Sequence, residues 1–176
     1  NALSATKEST MPRLYCDWKT RLEAEHYRKF CGTAPQLMVF GMREALNMLF
    51  EEGLENVFER HRVLAGATQA AVEVWGQAGT LSLNALEPKE RSNGVTTILT
   101  SDGIDADQLR NACRDEMMVG LGGGLGDLSG SAFRVGHMGD INAPMLYAAL
   151  SAVESTLGYL DIKYASGGVT AAIEYV

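Results

Sequence analysis

From Leu54 to Trp75, apolar and small residues return every three or four positions without a miss. The stripe runs through Leu54, Val57, Phe58, Leu64, Ala65, Thr68, Ala71, Val72 and Trp75, with His61 on the same face. This is the spacing of an amphipathic α-helix, and Glu55, Glu59, Arg60, Arg62 and Glu73 fill its other face. Gly76 closes the run. At about 1.5 Å per residue the helix is roughly 33 Å long, enough to cross a small domain. The rest of the chain must therefore be laid along it, and one flank is expected to pack on a sheet.

Beyond Gly76 the pattern changes. Residues 80–83, 95–100 and 132–135 are short β-branched or aromatic runs bounded by Gly, Asn, Asp or Ser, which predicts strands. Asn93-Gly94 is a turn signal before the second of them. Residues 118–120 are read as one further brief strand. Asp105, with Gln108 three positions on, forms a capping-box pattern for a helix to about Met117, its core stripe being Leu109, Ala112, Cys113 and Met117. Asn142 caps another helix with Pro144 in its first turn. Leu146, Ala149, Leu150, Val153 and Leu157 form its inner face, and Gly158 ends it. Gly167-Gly168 precedes a last helix through Val169, Ala172, Ile173 and Val176.

Upstream of the long helix the first ten residues read as a loop and 17–27 as a short surface helix. Pro35 keeps Ala34 extended. Leu37, Phe40, Leu46, Leu49 and Phe50 then step at helical spacing towards a C-cap at Gly53. The predicted class is α/β: a small sandwich, an antiparallel or mixed sheet with helices on one face, preceded by a helical arm.

Composition bounds the function. With 15 Lys+Arg against 22 Asp+Glu the net charge is −7, which argues against tracking a run of nucleic-acid phosphates. Charges interrupt every apolar stretch well before the length of a membrane span. Three well-separated cysteines fit a reducing, cytoplasmic setting better than a secreted disulfide framework. The chain opens at Asn1 with neither an initiator Met nor a signal peptide, as a piece of a longer protein would.

Candidate chemistry is sparse. Five of the 19 glycines fall in Gly120-Leu121-Gly122-Gly123-Gly124-Leu125-Gly126. The run does not fit a dinucleotide fingerprint, and no Gly-Lys-Ser/Thr follows it, so it is read as backbone shape: a tight turn, or close approach of another segment. His26, His61 and His137 are not paired on one helix face, and Cys16, Cys31 and Cys113 include no Cys-x-x-Cys, so no metal is expected. His61 reads as a packed core histidine and His137 as a structural or loop residue. No Gly-x-Ser-x-Gly turn presents a serine nucleophile. Arg134 is different, because Phe133-Arg134-Val135-Gly136 sets a guanidinium in an apolar strand just after the glycine run. Such a charge needs a fixed anion or a way out of the core. Its planar fork suits bidentate capture of a carboxylate, but a strand arginine facing solvent or an internal Asp is an equal alternative on pattern alone.

Several segments are similar to the class V aminotransferases, and most similar to their serine–glyoxylate and alanine–glyoxylate types. They are Gly41-Met42-Arg43-Glu44-Ala45-Leu46, the run from Glu51 through Gly53-Leu54-Glu55-Asn56 to His61, Gly122-Gly123-Gly124-Leu125-Gly126, and Phe133-Arg134-Val135-Gly136-His137-Met138-Gly139-Asp140. The resemblance extends over 11–176. It implies a fold-type-I architecture that uses pyridoxal phosphate, with 1–52 as the end of the large cofactor-binding domain and 53–176 as the C-terminal small domain.

By the same resemblance Arg134 stands where the family grips the substrate α-carboxylate. Thr33 stands where it reaches the cofactor phosphate of a neighbouring subunit. Phe30 stands where some members have a phosphate-contacting tyrosine, and here it lacks the hydroxyl. The Schiff-base lysine is expected upstream of Asn1, since none of Lys7, Lys19, Lys29, Lys89 and Lys163 lies in the matching motif. The chain alone is then expected to be inactive. Its intact parent is expected to be a homodimer with shared active sites that moves an amino group from an amino acid such as serine or alanine to an α-keto acid, glyoxylate above all. The alternatives are a related pyridoxal phosphate lyase or desulfurase, which would need a reactive cysteine on a mobile loop, and a non-enzymatic α/β ligand-binding or assembly module.

Overall fold

The computed structural model describes residues 2–176 and divides into two compact units, one ending at Glu52 and the other Gly53–Val176. The first unit holds three helices, α1 (Ala2–Ala5), α2 (Trp18–Glu23) and α3 (Gln36–Glu52). The first ten residues are thus not all loop. The surface helix read over 17–27 is shorter and is followed by a separate 3₁₀ turn, His26–Arg28. Asp17 caps α2 by accepting from the backbone N–H groups of Lys19 and Thr20. No residue of α3 is buried, and Leu37 is 88% exposed, with Met38, Phe40, Met42 and Phe50 also open.

The second unit runs α4 (Leu54–Trp75), β1 (Leu81–Leu83), β2 (Val95–Thr100), α5 (Ala106–Met117), β3 (Gly122–Gly123), β4 (Ala132–Gly136), α6 (Ala143–Tyr159) and α7 (Gly168–Tyr175). Its four strands form one antiparallel sheet in the order β1-β2-β4-β3. Leu83 pairs with Ile98, Ile98 with Phe133 and Thr96 with Val135, so Leu81, Leu83, Thr96, Ile98, Phe133 and Val135 share one face. All six are buried there beneath the helices. Burying a side chain such as Ile98 or Phe133 contributes about 1.5–3 kcal/mol.

α4 is the spine, and Leu64, Ala67, Ala71, Val72 and Trp75 supply its share of the core. α7 lies along it at close range, which two glycines permit. A Cβ at Gly66 would fall within 2.3 Å of the Tyr175 ring, and one at Gly168 would fall 2.1 Å from Trp75 Nε1. Trp75 is fully buried and donates its Nε1–H to Glu154 Oε2 at 2.8 Å, and that carboxylate also accepts from Val169 N.

The structure corrects the sequence at three further points. Residues 118–120 form no strand. Met118 takes a left-handed conformation (φ 58°) to end α5, and Val119 N returns to Cys113 O, so the chain extends again only at Gly122. Ile173 is 52% exposed and Val176 is also open, because α7 faces the core through Gly168 and Ala172. His61 is half-buried and polar in its contacts, as described below. Among the described residues no helix is long and apolar enough to cross a membrane.

Candidate functional site

Residues on the sheet face away from the helices are set by alternation: Ser82 on β1, Thr97 and Leu99 on β2, Arg134 on β4 and Gly122 on β3. Thr97, Arg134 and Gly122 stand side by side across three strands. Arg134 is half-buried, and its Nε donates to Gly123 O at 2.7 Å. Among the described residues no carboxylate pairs with it. With Nε committed to the backbone, the edge of the fork left for a ligand is the one formed by the two Nη groups. That edge matches the two oxygens of a carboxylate.

Glycine at 122 lets Arg134 lie close to the strand. A Cβ there would stand 3.2 Å from Arg134 Cβ and 3.4 Å from its Nε, so the guanidinium lies against bare backbone. Gly124 has a different reason, since a Cβ at that position would be 1.8 Å from Leu128 O. The chain folds back there through the 3₁₀ turn Gly126–Leu128, and Gly124 N donates to Ala132 O at 2.9 Å. The glycine run is therefore a place of close backbone approach, and part of it is a strand.

The far end of β4 is held just as firmly. His137 is 0% exposed, and its Nδ1 lies 3.0 Å from Asn93 O while its Nε2 lies 2.9 Å from Thr96 Oγ1. A carbonyl only accepts, so Nδ1 carries the proton and Nε2 accepts from the threonine hydroxyl. Burial holds the His137 pKa below that of a free histidine, and His61 nearby adds to the effect. His61 and Arg60 of α4 fix the following loop: Gly139 N donates to His61 Nε2 at 3.1 Å, and Arg60 Nη1 donates to Gly139 O and Ile141 O at 2.8 and 3.0 Å. These two histidines are structural pins.

Phe30 and Thr33 belong to the first unit, in the turn between the 3₁₀ segment His26–Arg28 and α3, whereas Arg134 belongs to the second. Phe30 is 54% exposed, and Thr33 is exposed with its hydroxyl making no hydrogen bond among the described residues. Next to it, nothing stands within 4 Å of a Cβ built on Gly32. An exposed hydroxyl of this kind is chemically able to donate to a phosphate, and Phe30 carries no donor.

Among the described residues no group of three His, Cys, Asp or Glu could hold a metal ion. Cys113 is buried, which raises its thiol pKa. Cys16 and Cys31 are exposed free thiols. A cavity of about 180 Å³ beside β1 and β2 is lined by Gln69, Asn84, Arg91, Ser92 and Thr97 among others, but Arg91 is already paired with Glu73 at 2.9 Å.

Sequence reasoning missed Arg110 on α5. Its Nε donates to Leu121 O at 3.1 Å, its Nη1 pairs with Asp107 Oδ1, and it underlies Gly123. The i, i+3 pairing with Asp107 was visible in sequence, but nothing there distinguishes it from a solvated helix face.

An antiparallel four-stranded sheet with helices on one face is the form of the C-terminal portion of pyridoxal phosphate-dependent aminotransferases. The structure superposes on that of ureidoglycine–glyoxylate aminotransferase from Bacillus subtilis with a TM-score of 0.80 at 25% identity, over 97% of this chain and 44% of that one. No family model matches the sequence. The chain is 38% identical to serine–glyoxylate aminotransferase of Methylorubrum extorquens, over 97% of its own length and 42% of the relative's. To the enzyme of the same name from Arabidopsis thaliana it is 35% identical, over 99% and 43%. A match from Synechococcus, 32% identical over 97% and 44%, bears the name soluble hydrogenase small subunit. The chain spans less than half the length of the curated relatives it matches. It corresponds to the C-terminal part of the serine–glyoxylate and alanine–glyoxylate aminotransferases, and its structural neighbours are class V aminotransferases.

Proposed function

We propose that this chain supplies the substrate-gripping side of a pyridoxal phosphate-dependent aminotransferase that moves an amino group from serine, alanine or a similar amino acid to an α-keto acid such as glyoxylate. The observation that carries the reading is Arg134, half-buried and pinned through Nε to Gly123 O, with no internal carboxylate partner among the described residues. In the proposed reaction its fork takes both oxygens of the substrate carboxylate. Two parallel charge-assisted hydrogen bonds fix the plane of that group and hence the direction of the Cα–H bond. Every amino acid and every α-keto acid carries that carboxylate, so one arginine serves both halves of the exchange. The names of the matched glyoxylate aminotransferases support the same reading.

Pyridoxal phosphate, when bound, supplies the electron sink that makes Cα–H cleavage possible. Thr33 would donate its hydroxyl to the cofactor phosphate, and Phe30 would wall the same region. The chain's own lysines are Lys7, Lys19, Lys29, Lys89 and Lys163, and none is assigned the covalent role, so the chain alone is proposed to be inactive. The working enzyme is proposed to be a homodimer.

The test is Arg134→Gln in the full-length enzyme. Loss of a bidentate charge-assisted contact should raise KM for the amino donor about a hundredfold. The yellow absorbance of the bound cofactor and its affinity should stay as in the wild type. Unchanged turnover with amino acids would overturn the role given to Arg134, and a colourless protein unable to take up the cofactor would favour a non-enzymatic module.

A further inference from the structure

We propose that Arg110 is a positioning residue for Arg134, acting through the two-glycine strand between them; this rests on the reading of Arg134 as the carboxylate clamp. β3 consists of Gly122 and Gly123 alone and lies at the edge of the sheet. Its two residues face opposite ways. A Cβ at Gly122 would meet Arg134, and a Cβ at Gly123 would stand 2.9 Å from Arg110 Nη1 and 3.0 Å from its Cζ. One arginine therefore lies on each side of the same bare strand.

The connection is specific in its atoms. The carbonyl that accepts from Arg134 Nε belongs to Gly123, the residue whose α-carbon rests on the Arg110 guanidinium. Arg110 also fastens the residue entering the strand, because its Nε donates to Leu121 O at 3.1 Å. Asp107, one turn earlier on α5, pairs with Arg110 Nη1 and sets its direction. Two glycines at a sheet edge have no side chains of their own to lock their place and lose the most conformational freedom on ordering. β4 pairs with them on one side only. Arg110 supplies the second restraint, and so fixes where the Gly123 carbonyl holds the clamp.

Arg110 is not a second clamp. It lies towards the helix side, opposite the face that carries Arg134, and Asp107 and Leu121 O already engage it.

The experiment uses full-length protein labelled with ¹⁵N-arginine, as wild type, Arg110→Met, Arg110→Lys, Gly123→Ala and Arg134→Gln. Methionine keeps an apolar stem over Gly123 while removing the donors to Leu121 and Asp107. The Arg134 Nε–H resonance is assigned by its loss in Arg134→Gln. In Arg110→Met that resonance should shift and its hydrogen exchange should speed up about tenfold, with partial recovery in Arg110→Lys. In steady-state kinetics KM for the amino donor should rise about tenfold while kcat changes by no more than about twofold. If Arg110→Met does not fold, Gly123→Ala, whose new methyl displaces the Arg110 fork, should move the same resonance in the same direction. A folded Arg110→Met with the wild-type Arg134 Nε–H shift and exchange rate overturns the positioning role. Equal amino-donor KM in Arg134→Gln and wild type overturns the clamp reading, and the positioning of substrate with it, whatever the resonance does.

Discussion

His137 should make the second unit lose stability in mildly acidic solution. The ring is 0% exposed, donates from Nδ1 to Asn93 O and accepts at Nε2 from Thr96. Burial disfavours its charged form and lowers its pKa in the folded protein, with His61 adding to the effect against an opposing contribution from the Asn93 carbonyl. The unfolded chain takes up a proton as pH falls through about 6.5, and the folded chain does so only at lower pH. The stabilisation is therefore complete above the unfolded value and declines as pH drops below it. The slope approaches about 1.4 kcal/mol per pH unit and levels off below the folded value. Between pH 7.5 and 5.5 the loss from this one group is at most about 1.4 kcal/mol. His137→Phe removes the titrating ring but strands the Thr96 hydroxyl and the Asn93 carbonyl, so it should cost about 1–3 kcal/mol at pH 7.5. Urea unfolding at the two pH values, followed by Trp75 fluorescence in a Trp18→Phe background, measures both effects. The change in stability between pH 7.5 and 5.5 should be smaller in His137→Phe than in its parent. Equal changes in the two proteins would refute the assignment of a buried, neutral histidine.

Two further outcomes follow from packing. Gly168→Ala drives a methyl to within 2.1 Å of Trp75 Nε1, and the indole is held by Glu154, so stability should fall by about 1–3 kcal/mol; an unchanged melting temperature would show that α7 shifts freely. Asp105→Ala removes the acceptor for Asp107 N and Gln108 N and should cost about 1 kcal/mol. Faster hydrogen exchange confined to the first turn of α5 is the signature to look for, and unaltered protection there would exclude the cap.

Where one physical rule decided a segment, the sequence was readable to the residue. The stripe ending at Gly76 matches α4 (Leu54–Trp75), and the β-branched run matches β2 (Val95–Thr100), because burial of one face leaves a continuous periodic record. β3 left no such record. Glycine has no side chain to alternate, and the pairing of Gly122 with Arg134 and of Gly123 with Phe133 is a cross-strand fact. Arg110 was invisible for the same reason, since it lies on α5 and its neighbour Gly123 comes from β3. His61 shows the limit of periodicity: it falls on the apolar stripe, but the 136–142 loop docks there and turns it into a hydrogen-bonding post. For Arg134 the pattern left a carboxylate ligand open against a strand arginine facing solvent or an internal Asp; the structure gives it no internal acid among the described residues and ties its Nε to Gly123 O. The roles of Thr33 and Phe30 rest on family resemblance and stand as proposals.

The brevity of β3 has one more consequence. A sheet margin with a long row of free peptide groups is a template on which other chains add strands and grow into fibrils. Here that margin is two residues long, and at Gly124 the backbone turns inward to bond Ala132. A foreign strand finds too little ladder to register against, so the border beside Arg134 is a poor seed for polymerisation.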